Sequence, residues 1–188
     1  MRRRLKRSFY ARPTLIATRD LLGKYLVRKI GGELRAGKIV ETEAYIGPLD
    51  RASHAYGGKV TPRNRAEYLV GGHVYIYLVY GMYWQLNIST SRPGRPECVL
   101  LRALEPVSGD PRLANGPGKL CRWMKLDGSL YGEDVTRSSR VWVEDRGVRV
   151  NPKAIVAAPR IGIDYAGPTW ARKRWRFYLR GNPAVSKS

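Results

Sequence analysis

The alternation of apolar and polar positions along the chain marks out more strands than helices. Residues 25–30 and 34–45 flank the pair Gly31-Gly32 and read as the two arms of a hairpin. Residues 73–80 are dense in Val, Ile and Tyr, side chains that suit a pleated surface, and Gly81-Met82 turns them back into a further strand over 83–90. A fifth strand over 98–104 follows Arg92-Pro93-Gly94-Arg95-Pro96, whose prolines and glycine exclude regular pairing and predict an exposed basic loop. Shorter runs over 141–143, 155–158 and 177–179 predict three more strands. Helices are fewer. One starts with Pro13 as its first residue and ends near Gly23, a second covers 62–70 before Gly71-Gly72, and a third covers 117–125 after Asn115-Gly116. With no repeat, no low-complexity block and no dividing linker, the pattern predicts one α+β domain with a mostly antiparallel sheet.

Composition narrows the classes. A chain of 188 residues that is 43% hydrophobic buries a real core, which excludes wholesale disorder. No stretch approaches the ~18 apolar residues of a membrane-spanning helix, and the basic N-terminus lacks the apolar centre of a signal peptide. The expectation is an intracellular protein with no membrane association. Cys98 and Cys121, with only His54 and His73 beside them, do not make a Cys/His zinc site, so neither metal nor cofactor is expected.

Charge changes the picture more. Lys plus Arg number 35 against 15 acids, a net charge of +20, and the excess is carried by arginine, whose planar fork suits phosphate. Nucleic acid is the expected partner. No acid precedes Asp20, so residues 1–10, with Arg2, Arg3, Arg4, Lys6 and Arg7, read as a basic arm for phosphate or a solvated tail rather than a strand. The domain itself is expected over 11–188.

Candidate chemistry lies on the second arm of the first hairpin. A period of two puts Glu41, Glu43 and Tyr45 on one face and Val40, Thr42 and Ala44 on the other. If the first face is inward, its carboxylates need a partner or a role, because an unpaired buried charge is costly. A salt-bridged face and a catalytic carboxylate both satisfy that condition. Seven of the twelve tyrosines (45, 56, 68, 75, 77, 80 and 83) lie between positions 45 and 83. Core packing accounts for rings of this kind, and so does stacking on a base or filling the gap one leaves. Tyr80, at the edge of the Gly81 turn, is the ring placed to project.

Six strings in register carry a stronger signal. Glu41-Thr42-Glu43-Ala44-Tyr45 with Ser53-His54, Thr61-Pro62-Arg63-Asn64, Tyr77-Leu78-Val79-Tyr80-Gly81-Met82-Tyr83, Asn87-Ile88-Ser89, Val99-Leu100-Leu101-Arg102-Ala103-Leu104-Glu105-Pro106 and Asn115-Gly116-Pro117-Gly118-Lys119-Leu120 together resemble the alkyladenine (3-methyladenine) DNA glycosylase family. The resemblance runs over residues 11–186. It implies a curved antiparallel sheet flanked by short helices, acting as a monomer on double-stranded DNA. The implied reaction is monofunctional: a damaged purine is flipped out and its N-glycosidic bond is hydrolysed, leaving an abasic site. Implied substrates are 3-methyladenine, 7-methylguanine, hypoxanthine and ethenoadenine.

Residue by residue, Glu43 matches the general base, and Tyr45, His54 and Tyr77 match the walls of the base pocket. Tyr80 matches the ring inserted in place of the flipped nucleotide, and Met82 shares its turn. Asn87 matches the position that obstructs the amino group of normal guanine. Arg102 matches a residue near the flipped nucleotide and its backbone, with a salt bridge to Glu105 as the competing account. Glu41, off the motif, is expected to be structural and paired with an arginine. Ala184 departs from the pattern, standing where many relatives have a large aromatic. Three rivals remain: a non-catalytic basic nucleic-acid-binding protein, a metal-dependent nuclease built on Glu41, Glu43 and Asp50, and a lyase using Lys59 as an amine nucleophile, since the period of two turns Lys38, the nearest lysine on the strand, away from Glu43.

Overall fold

The computed structural model of the chain describes residues 2–186. Among the described residues nine strands form one sheet, and every pairing in it is antiparallel. They are β1 (Arg3–Arg4), β2 (Tyr25–Ile30), β3 (Glu33–Ile46), β4 (Val74–Val79), β5 (Tyr83–Ser89), β6 (Glu97–Pro106), β7 (Val141–Asp145), β8 (Ile155–Ala158) and β9 (Arg176–Leu179). The order across the sheet is β1-β7-β2-β3-β6-β5-β4, with β9 paired to β3 and β8 to β9. Among the described residues there are four short α-helices, α1 (Arg7–Tyr10), α2 (Thr14–Asp20), α3 (Pro117–Trp123) and α4 (Pro168–Ala171), of which α2 and α3 pack on the sheet.

The strands form where the pattern places them, and the turns explain their register. Gly31 and Gly32 both take positive φ, 52° and 92°, the geometry a two-residue hairpin turn demands, and the pairing of Ile30 with Glu33 follows. β3 is the spine. Its first half pairs with β2, and at Glu41, Thr42 and Glu43 it lies between β6 and β9. The main core gathers Leu26, Ile39, Leu86, Ile88, Val99, Leu101 and Leu104 from the sheet with Leu120, Cys121 and Met124 from α3 and its end. α2 packs its buried Thr14, Ala17 and Thr18 inward, and the Thr42 hydroxyl donates to the Thr18 carbonyl at 3.0 Å, fixing that helix to the back of β3.

Three expectations are corrected. Residues 62–70 are not an α-helix, and only a four-residue 3₁₀ turn, Arg65–Tyr68, forms there. Buried Asn64 organises that segment instead, with its amide donating to the carbonyls of His54 at 3.0 Å and Lys59 at 2.8 Å while its Oδ1 accepts from the Thr61 N–H at 2.7 Å. A loop held by one side chain needs no helical period. The basic N-terminal segment is tied down: Arg3 and Arg4 pair with Asp145 and Glu144 of β7, and Arg7 forms an ion pair with Asp134. Met1 lies outside the described residues, as do the last two residues of the expected domain. Pro13 caps α2 from outside rather than opening it.

Candidate active site

The chemistry of the chain converges where β3, β6 and β9 meet. Register shifts flank Glu41 on both sides: Val40 has no partner on β6, and Arg102 has none on β3. The strict alternation therefore fails at Val40, which packs with Ala103 and Ala184 in a small separate cluster. From Glu41 onward it holds. Glu41 and Glu43 are both fully buried, and Arg102 reaches both, with Nε 3.2 Å from Glu41 and Nη1 3.3 Å from Glu43.

The two carboxylates then diverge. Glu41 also takes Nη1 of Arg176 at 2.8 Å and the backbone N–H of Ser186 at 2.8 Å. Two guanidiniums and an amide occupy it, which is the arginine-paired structural role expected. Glu43 accepts the Ile161 N–H at 2.9 Å on one oxygen and the Tyr45 hydroxyl at 2.9 Å on the other. Tyr45, Arg102 and Ile161 all line one cavity of about 280 Å³, so Glu43 sits immediately behind its wall. The size suits a single planar ring system, below the roughly 300–1,000 Å³ of drug-sized sites.

Three further motif residues share that cavity. The rings of His54 and Tyr77 meet edge to face with centroids 4.7 Å apart, and Tyr75 tilts against Tyr77 at 5.1 Å. His54 Nδ1 is 2.5 Å from the Tyr75 hydroxyl. Burial, reinforced by the Arg63 guanidinium, lowers His54 to about 4, so the ring is neutral at physiological pH. Burial, and then the neighbouring Glu43 carboxylate, raises the Tyr45 hydroxyl well above the usual phenol range, which keeps it a donor. Asn87 lines the same cavity with its amide tied to the carbonyls of Tyr75 and Gln85 at 3.2 and 3.3 Å.

Tyr80 stands at the rim, and Met82 follows it in the turn without lining the cavity. The Met82 N–H closes a turn on the Val79 carbonyl at 3.1 Å, with φ of 52° at Tyr80 and 68° at Gly81. Gly81 accepts that backbone freely, whereas a tyrosine in the left-handed region is strained. Yet Tyr80 is 85% exposed and Met82 66% exposed, so burial does not repay the strain.

Arg102 corrects one reading: it makes no ion pair with Glu105, which is held by Lys38 at 2.7 Å and by Asn182. Lys38 is thereby engaged on the far half of β3. The carboxylates a nuclease would need are also engaged. Asp50 is clamped by Arg160 at 2.6 and 2.9 Å, and among the described residues no three His, Cys, Asp or Glu side chains gather as metal ligands.

Several participants carried no signal in the chain pattern. Buried Arg160 clamps Asp50, donates to the Ala44 carbonyl at 3.0 Å and lies over the rings of Tyr45 and Trp175. It joins the loop after β3 to the segment carrying Ile161, positions more than a hundred residues apart. Arg63 lies over Tyr77, and Glu67 lines the cavity. Arg63 stands in one of the motif strings, whereas only three-dimensional proximity singles out Arg160 and Glu67.

An antiparallel sheet with a buried carboxylate behind an aromatic-walled recess, in a strongly basic protein, has the features that work on nucleic-acid bases requires. The chain belongs to the methylpurine-DNA glycosylase family, whose profile matches residues 8–183. It is 42% identical to the human DNA-3-methyladenine glycosylase over 97% of this chain and 68% of that protein. It is 49% identical, over 97% of this chain and 96% of the relative, to a Methanocella arvoryzae protein provisionally named 3-methyladenine DNA glycosylase. A Clostridium perfringens protein with the same provisional name is 43% identical over 98% and 99% of the two chains. No helix among the described residues is long and apolar enough to cross a membrane.

Proposed function

We propose that this DNA glycosylase releases damaged purines from duplex DNA, as a monomer, with a water activated by Glu43. The observation that carries the reading is Glu43 itself, a fully buried carboxylate that meets Tyr45, Ile161 and Arg102 directly behind the aromatic recess. In the proposed reaction the water oxygen attacks the anomeric carbon, and the electron pair of the C–N bond leaves with the purine. Glu43 accepts the proton of the attacking water. As the bond lengthens the sugar gains oxocarbenium character, and the same carboxylate stabilises that charge in a site from which solvent is excluded.

The other residues support the steps around this one. Tyr45, His54 and Tyr77 stack on the flipped purine, and Asn87 obstructs the amino group of normal guanine. Tyr80 fills the gap in the duplex, with Met82 beside it, for which an exposed ring on a strained turn is suited. Arg102 holds Glu43 from inside the cavity wall. Substrates of this pocket are 3-methyladenine, 7-methylguanine, hypoxanthine and ethenoadenine, and the site of action is wherever the DNA lies.

The test is base release from duplexes carrying hypoxanthine, 7-methylguanine or no lesion, with excess chelator, resolved on gels before and after alkali. Strand breaks that appear only after alkali, and only in lesion duplexes, are expected. Nicking without alkali would show a lyase, with exposed Lys59 the first amine to replace. No product from any duplex would leave a protein that binds nucleic acid without acting on it.

A further inference from the structure

Glu67 belongs to none of the strings that mark the site, yet it lines the same cavity as Tyr45, His54, Tyr77 and Asn87. It lies in the 3₁₀ turn Arg65–Tyr68, whose backbone is fixed from outside by the Tyr131 hydroxyl bonding the Ala66 N–H at 2.8 Å. Its side chain is 1% exposed. One oxygen accepts the Cys98 thiol at 3.3 Å, and the other, Oε2, is buried with no hydrogen-bond partner among the described residues. No lysine or arginine forms an ion pair with it among those residues. A buried carboxyl oxygen without a partner costs stability, and at the wall of a cavity a bound group can supply that partner.

We propose that Glu67 is a specificity-determining residue of the base pocket, its free carboxyl oxygen donating a hydrogen bond to an acceptor on the inner edge of an uncharged flipped purine. The inference rests on the glycosylase reading and deepens it by naming the class of lesion favoured. Burial raises Glu67 to about 8, with Asp50 adding to the rise and the Cys98 thiol opposing it, so the group is protonated at neutral pH. With Oε1 engaged by the thiol, Oε2 is the oxygen left free to carry the proton to a ligand. The other titratable groups coupled to it are phenols: Tyr75 and Tyr77 from β4, Tyr68 on its own turn, and Tyr131. None of them changes charge between pH 6 and 9. No proton is transferred by Glu67, and the bond is made to N7 of a lesion such as hypoxanthine, an acceptor that methylation removes from 7-methylguanine; hypoxanthine also needs more help to leave than a cationic methylpurine. Once ionised, Glu67 loses the donor and favours a positively charged base instead.

The experiment is single-turnover release of hypoxanthine and of 7-methylguanine from duplex DNA between pH 6.5 and 9, by wild type, Glu67→Gln and Glu67→Met. Glu67→Gln keeps a donor and cannot ionise, so dividing wild-type rates by its rates cancels the titration of the lesions and of every other group. For hypoxanthine that quotient is expected to fall as pH passes about 8, while for 7-methylguanine it holds or rises. Glu67→Met is expected to slow hypoxanthine release roughly tenfold at pH 7, the worth of one hydrogen bond, and 7-methylguanine release less than twofold. A quotient independent of pH, or equal slowing of both lesions by Glu67→Met, overturns the inference alone. Failure of the wild type to release either base overturns the glycosylase reading, and this inference with it.

Discussion

Glu41 and Glu43 are the same residue type on one strand face, both fully buried, and both touch Arg102, so composition cannot separate them. Their remaining partners do. Arg176 and the Ser186 amide complete the neutralisation of Glu41, whereas Glu43 meets only the neutral donors of Tyr45 and Ile161 beyond Arg102. Glu43→Gln preserves shape and leaves Arg102 its Glu41 partner. It is expected to cut excision by roughly 10³-fold or more while keeping lesion binding and a melting temperature close to wild type. Glu41→Gln removes the buried charge that Arg102 and Arg176 share, so melting should fall by roughly 6 °C or more, with activity per folded molecule largely kept. Normal cleavage by Glu43→Gln beside a folded but dead Glu41→Gln would reverse the assignment. Glu67 gives a separate stability signature. Its carboxyl titrates near 8 when folded against a usual 4.5, so between those values the folded state holds a proton that the unfolded chain has released. Stability therefore falls as pH rises across that window, by an amount on the order of a few kcal/mol. Melting curves at pH 5 and pH 8 should show that loss in wild type and a smaller one in Glu67→Gln.

At the scale of elements, the hairpin of β4 and β5 does two jobs with one sequence. Its strands carry Tyr75, Tyr77 and Asn87 into the cavity wall, and its turn holds Tyr80 outward in a backbone region that tyrosine rarely adopts. Tyr80→Asn tolerates that region better, so the variant should melt no lower than wild type, yet bind a lesion duplex roughly tenfold more weakly by fluorescence anisotropy. Unchanged binding would make the exposed ring incidental. The same hairpin shows what the chain pattern discloses. Strand identity was legible in the Val, Ile and Tyr run, and the turn in Gly81, because both are local properties. The face shared by Glu41, Glu43 and Tyr45 was legible for the same reason, since it needs only the period of two. The loop before the hairpin was not, because Asn64 holds it through carbonyls rather than through a repeating apolar face. Nor was the Arg160 clamp on Asp50, which depends on two segments meeting across the fold. A resemblance of motifs named the pocket walls, but it was silent on Glu67, whose significance lies in an oxygen left without a partner.

For the whole molecule, the net charge of +20 exceeds anything the site chemistry requires. The carboxylates near the reaction are already matched: Glu41 and Glu43 by Arg102 and Arg176, and Asp50 by Arg160. The excess therefore resides on other arginines and lysines, among them exposed Arg92 in the loop before β6, and its natural counterpart is the phosphate backbone. Binding driven this way releases counterions, so log K should fall linearly with log salt. Neutralising even five phosphates would give a slope of about −4.5 on duplex DNA. On the proposed function the recess recognises the base and the surface charge does not, so lesion and undamaged duplexes should share nearly the same slope and differ in intercept. Anisotropy titrations of both duplexes between 50 and 300 mM salt separate the two contributions. A slope shallower than about −1 would mean that most of the charge serves something other than DNA, and a difference confined to slope would place lesion recognition on the surface instead of in the pocket.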